Sequence, residues 1–120
     1  MKVAINRKNG GFDISQTAIL KCIEYGMVCE DQVEEGHAYQ GDFIYNKKAL
    51  DGEQYRIAND NKEFRINPIL IRVIEELKDD VNCRWSLIKI VDIPFEDVNG
   101  WYISNYAGLE RVEENRRIWD

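Results

Sequence analysis

Apolar residues recur along the chain in two periods, and the alternation between them predicts the elements. Lys2-Val3-Ala4-Ile5-Asn6 reads as a short strand, broken by Asn9-Gly10-Gly11. Ala18, Ile19, Cys22 and Ile23 then repeat at helical spacing. Ser15 is placed to cap that helix, which runs to about Tyr25, and Gly26 to end it. Phe43-Ile44-Tyr45 and Tyr55-Arg56-Ile57 are short β-like runs. The nine residues between them contain Asp51-Gly52, so a loose hairpin is expected. Asn59-Asp60-Asn61 closes that segment.

The clearest helix follows. Asn67 is a capping residue and Pro68 stands at the first helical position, where a missing N–H costs nothing. Leu70, Val73, Ile74 and Leu77 form the apolar stripe, with Glu75 and Glu76 off it, and the helix fades at Asp79-Asp80. Trp85 to Ile93 is the strongest strand. It is apolar on much of both faces, which predicts a central place in a sheet, and Pro94 ends it. Asn99-Gly100 turns the chain into the strand Trp101–Tyr106, Ala107-Gly108 turns it again, and Leu109 to Trp119 reads as a strand followed by a tail. The expected architecture is an α+β single domain, a mainly antiparallel sheet with about two helices packed on one face.

The chain has 120 residues, one domain's worth, enough to bury a core without disulfide or metal staples. Its 44% hydrophobic and 32% charged residues are ordinary globular usage, which excludes disordered and fibrous classes. Sixteen basic residues stand against 22 acidic ones, a formal charge of −6. Non-specific duplex binding needs a Lys and Arg excess, so that balance argues against a general nucleic-acid binder while leaving room for a small basic patch, and it argues against anionic membrane surfaces. The odd cysteine count (Cys22, Cys29, Cys83) argues against a secreted disulfide framework, and Cys22 and Cys29 lack a zinc-knuckle spacing. Reduced thiols, two of them in the core, fit better. The N-terminus turns polar almost at once and no run approaches membrane-spanning length, so a cytoplasmic protein is expected.

Candidate chemistry is thin. His37, the single histidine, lies in an acidic irregular stretch with no recognisable nucleophile pattern around Cys22 or Cys29. The acidic pairs Glu34-Glu35, Glu75-Glu76, Asp79-Asp80 and Glu113-Glu114 are adjacent in sequence, so their members do not face each other. No EF-hand spacing is present, and neither a metal nor a cofactor is called for. Gly10-Gly11 between a strand and a helix could cradle phosphate, but it lacks the GxGxxG and Walker patterns and reads first as a tight turn. The last turns are richer. Arg111, Arg116, Arg117 and Trp119 fall within nine residues, near Trp101 and Tyr106, with Arg65 able to join them. Arginine clamps phosphate and aromatic faces stack bases. The competing reading has Trp119 closing the core edge and the arginines paired with Glu110, Glu113 and Glu114.

Three pieces of the chain resemble a family of small proteins of tailed phages and large viruses, mostly without an assigned activity. They are Met1–Asn6 with Gly10-Gly11-Phe12, then Arg65-Ile66-Asn67-Pro68-Ile69-Leu70 leading into Val73–Leu77, and Leu87–Pro94 followed by a C-terminal pattern. That pattern comprises Trp101, Ile103, Tyr106, Gly108, Glu110, Val112, Glu114, Arg117 and Trp119. The chain departs from the family at Asn67, Cys83, Ala107 and Arg116, where Asp, Gly, Asp and His are common. Residues 27–63 read as a family-variable insertion carrying the hairpin. The resemblance implies a viral origin, and the host cytoplasm as the place of action.

These readings converge on a non-catalytic binding protein that sequesters a nucleotide-like host signal through an Arg/aromatic pocket. The alternative is a protein–protein module that docks on a host factor, and a small enzyme ranks third. Expected partners are a small anionic ligand or a host protein, with a homodimer allowed by open sheet edges.

Overall fold

The computed structural model describes residues 1–29, 44–50, 52–57, 60–94 and 98–114. The chain is a small α+β domain. In chain order its elements are β1 (Lys2–Asn6), α1 (Gln16–Glu24), β2 (Val28–Cys29), β3 (Ile44–Leu50), β4 (Gly52–Ile57), α2 (Lys62–Arg65), α3 (Pro68–Leu77), β5 (Ile88–Asp92), β6 (Trp101–Tyr106) and β7 (Leu109–Glu114).

Local signals place the helices. The Ser15 hydroxyl accepts from the Ala18 N–H and donates to the Asp80 carbonyl, so one side chain caps α1 and ties it to the turn after α3. At the other end Gly26 N–H reaches Ile23 O and Met27 N–H reaches Cys22 O, the paired bonds of a Schellman motif. Asn67 caps α3 through the Ile69 N–H, with Pro68 at its start. Leu70, Val73 and Ile74 are buried as the stripe predicts, Leu77 is partly buried, and Ile71 joins them. Glu75 and Glu76 are exposed. Helix α2 has no counterpart in the sequence reading. Asn61, which the pattern places at the close of the preceding segment, caps it through the Phe64 N–H.

Strand β1 is the middle layer. It pairs antiparallel with β5, Ala4 opposite Ile90. The strand alternation sends Ala4, Ile88 and Ile90 toward α1 and α3, while Val3, Ile5, Val91 and Ile93 pack on the other side with Trp101, Ile103 and Val112 of the β6–β7 hairpin. Helices therefore cover one face of the ribbon and the hairpin covers the other. This corrects the expectation for 85–93. The apolar run is buried on two faces by two layers, whereas along its edges it is laddered only to β1 among the described strands. The strand also begins later, at Ile88. Residues 83–86 turn instead: the Ser86 hydroxyl accepts from the Cys83 N–H, and the Ser86 N–H reaches Cys83 O. Trp85, in that turn, is half exposed.

The β3–β4 hairpin is tighter than expected, its register running from Tyr45 opposite Ile57 to Leu50 opposite Gly52. Of the intervening residues only the adjacent Ala49 and Leu50 are apolar, which gives no strand alternation, so the pattern understates the strands. Strand β2 adds to β3 in parallel. Cys22 is fully buried in the helical core and Cys83 is half-buried beside Ser86.

Candidate functional site

The β6–β7 hairpin turns at Ala107-Gly108, with Tyr106 opposite Leu109 and both turn residues at positive φ. That is the twist-compatible turn of a two-residue hairpin. Period-two alternation then divides the hairpin. Trp101, Ile103, Glu110 and Val112 face the ribbon. Tyr102, Ser104, Tyr106, Leu109, Arg111 and Glu113 share the outer face, where Ser104 stands opposite Arg111 and Tyr102 opposite Glu113.

On the inner side, Arg65 and Glu110 form a bidentate ion pair at 2.7 and 2.9 Å, both side chains about 4% exposed. Glu110 also accepts from the Asn6 N–H at 2.8 Å. The Arg65 guanidinium donates to Ala4 O and stacks 3.6 Å from the centre of the Phe12 ring. Asn6 completes the knot. Its amide nitrogen donates to the carbonyls of Lys8 and Gly108, and its carbonyl oxygen accepts from the Leu87 N–H. One buried network thus joins β1, α2, β7 and three turns. Trp101 is fully buried, with the Lys62 ammonium 4.4 Å from its ring centre.

On the outer side lies an open groove of about 440 Å³, lined by Arg7, Ser104, Asn105, Tyr106, Leu109, Arg111 and Glu113. Arg7 is delivered there from the end of β1, where its guanidinium donates to the Glu110 carbonyl at 2.6 Å. Arg111 forms an ion pair through Nε with Glu113 at 3.1 Å, and the other Glu113 oxygen accepts from the Tyr102 hydroxyl. That hydrogen bond to a carboxylate, followed by the charge itself, pushes the Tyr102 hydroxyl above its ordinary pKa. Arg111 is 72% exposed and Tyr106 is 84% exposed. Among the described residues Arg111 is paired through Nε with Glu113 alone, which leaves its two terminal nitrogens to offer to an anion.

Of the residues singled out from sequence, the structure brings Tyr106 and Arg111 together in this groove. It takes Arg65 and Trp101 away from it, into the core. For Trp101 the reason is periodic: it and Tyr106 lie an odd number of residues apart on one strand, so they face opposite sides. Glu110, considered as a partner for the surface arginines, pairs with Arg65 instead. Arg116, Arg117, Trp119 and His37 lie outside the described residues. Arg7, Ser104, Asn105, Leu109 and Glu113 went unread as site residues. Alternation outward from the Ala107-Gly108 turn would have found most of them. Arg7 depends on a long-range approach of β1 to β7 that no local pattern shows.

Two other chemical features sit elsewhere. Gly10-Gly11 is a packed turn. A methyl group on Gly108 would stand 2.5 Å from both glycine nitrogens, and α1 begins only at Gln16, capped by its own Ser15. On the helical layer, Tyr25 donates to Glu76, and Arg72 bonds Glu76 while lying over the Tyr25 ring. The Tyr25 hydroxyl first, then Arg72, hold the Glu76 carboxyl below its usual range. This surface cluster ties α1 to α3. Among the described residues no group of three or more His, Cys, Asp and Glu could hold a metal, and no helix is long and apolar enough to cross a membrane.

Comparison with known proteins returned no match: no family model, no curated protein and no solved structure matches the chain. The resemblance to phage and large-virus proteins rests on the quoted residues alone.

Proposed function

We propose that the protein is a non-catalytic binder of a small anionic ligand carrying a base, and that the outer groove of the β6–β7 hairpin receives it. The observation that supports this is the pairing of Arg7 and Arg111 with the highly exposed Tyr106 along one groove, in a chain of formal charge −6. An arginine pair offers forked donors for phosphate, and the tyrosine ring offers a stacking face. On the resemblance to phage and large-virus proteins, the ligand would be a signalling nucleotide of the host, held in the host cytoplasm.

A thermal-shift panel of mono-, di- and cyclic nucleotides tests this. A ligand at 100 times its Kd adds about 2.7 kcal/mol of stability, which is easily read as a higher Tm. The shift should vanish in Arg111→Ala. A flat response across the panel would refute the nucleotide reading and direct attention to a protein partner for the same exposed face.

A further inference from the structure

We infer that the anion-binding surface continues past the groove onto the adjoining end of the molecule, and that its occupant is a short single-stranded nucleic acid. This rests on the groove reading and extends it. Three turns meet at that end. Gly10 packs so closely on the turn after α3 that a methyl group there would strike the Trp85 carbonyl at 2.5 Å, and Gly108 packs on Gly10 and Gly11 just as closely. The Lys8 ammonium donates to the Arg84 carbonyl at 3.3 Å across the same junction.

The composition of this end differs from that of the chain. Residues 7–12, 82–87 and 104–109 hold Arg7, Lys8 and Arg84 and no Asp or Glu, although the whole chain is acidic. None of the three cations pairs with a described carboxylate. Two of the large exposed apolar side chains, Trp85 and Tyr106, are rooted in these same contacting turns, 48% and 84% exposed. Cations without carboxylate partners beside exposed aromatic rings are what single strands require: phosphates meet the cations and successive bases stack on the rings. A mononucleotide has one base and would use one ring. Two rings on adjoining turns fit a strand of several nucleotides. A duplex hides its base faces and gains nothing from Trp85.

The test compares dTMP with a fluorescein-labelled oligothymidylate of about eight nucleotides, a length within the range such sites cover. Binding is read by anisotropy for the oligomer and by its competition for dTMP, with quenching of Trp fluorescence alongside. The oligomer should bind at least about tenfold more tightly than dTMP. Trp85→Ala should weaken the oligomer about tenfold and leave dTMP unchanged, while Trp85→Phe should restore it. Lys8→Ala and Arg84→Ala should each flatten the salt dependence of oligomer binding by about 0.7 in log–log slope. Arg111→Ala should weaken both probes. Equal affinity for the two probes, or indifference of the oligomer to Trp85→Ala, would overturn the extension and leave the groove reading standing. Binding of neither probe, or indifference of both to Arg111→Ala, would overturn the groove reading and the extension with it.

Discussion

Strand β7 takes part in two arginine–glutamate pairs, Glu110 with Arg65 of α2 and Arg111 with Glu113, and they do opposite work. Arg65–Glu110 is buried, bidentate and embedded in a network that also holds the Asn6 N–H. Arg111–Glu113 is exposed, made through one nitrogen, and shares its carboxylate with Tyr102. Strand alternation alone separates them: Glu110 points inward, its neighbour Arg111 outward. The chemistry of the pair is the same in each case, and its surroundings decide whether it holds the fold or remains available to a ligand. Desolvated, the two charges hold each other, with Asp60 making a longer contact to Arg65 at the edge. In water, the pair contributes little to stability, and its unused donors can meet another anion.

The largest expected effect comes from breaking the inner pair. Glu110→Gln should cost about 3 kcal/mol, because it leaves the buried Arg65 guanidinium only its longer contact, 3.4 Å, with the exposed Asp60 carboxylate. In a domain of this size that lowers Tm by about 10 °C, at about 3–4 °C per kcal/mol. The double variant Arg65→Met/Glu110→Gln sharpens the comparison. It removes both charges and keeps an acceptor for the Asn6 N–H, so most of the loss should be recovered. Denaturant unfolding of the single and double variants reads the coupling directly. A double variant no more stable than Glu110→Gln alone would mean that hydrogen bonds rather than charge balance dominate the network.

Next is Gly108→Ala. The new methyl group would press on the Gly10 and Gly11 nitrogens at a φ of +88°, and backbone cannot swing aside as a side chain can. A loss of about 2–3 kcal/mol is expected. The same variant should disturb the groove, since the turn sets the Tyr106–Leu109 pair that lines it. By contrast, Ala107 already sits at φ +53°, a region disfavoured for alanine, so Ala107→Asn should stabilise the hairpin by about 1 kcal/mol.

The outer pair gives the reverse result. Arg111→Ala should change stability by less than about 0.5 kcal/mol, within the range for exposed sites, and yet remove ligand binding. Equilibrium unfolding and the nucleotide panel on one preparation would separate the two. A large stability loss would show that Arg111 is structural, which would undo the contrast between the pairs.

The contrast explains which parts of the molecule were legible in the sequence. Helices α1 and α3 were, because Ser15, Gly26, Asn67 and Pro68 act through local backbone bonds that leave a sequence signature. The α+β class followed from the two periods. Helix α2 was not legible: four residues contain too little periodicity, and only the Asn61 cap marks it. The site was half legible. Tyr106 and Arg111 stand out by residue type, but so do Trp101, which strand alternation sends inward, and Arg65, which its place on α2 buries. Arg65 in particular reads as a surface cation until its partner is known. That partner lies 45 residues away on strand β7, and no local pattern carries such a pairing.

The smallest effect tests the outer pair through its tyrosine. The Glu113 carboxylate accepts the Tyr102 hydroxyl proton in a hydrogen bond and opposes the phenolate by its charge, so the folded pKa of Tyr102 lies above the ordinary value of 10.0. The sign follows directly. A folded pKa raised above the unfolded one contributes stability that is fully present below about pH 10 and is lost as pH rises through the folded value. Glu113→Gln keeps an acceptor but removes the charge, so Tyr102 should titrate closer to an ordinary tyrosine, seen as an earlier phenolate absorbance step. The Tyr102→Phe variant identifies that step among the six tyrosines. Near neutral pH, Glu113→Gln also frees Arg111 from its one described carboxylate partner, so anion affinity in the groove should rise while unfolding stays nearly unchanged. A fall in affinity would mean that Glu113 positions Arg111 for the ligand rather than competing with it, and the outer pair would then be part of the site's architecture as the inner pair is part of the fold's.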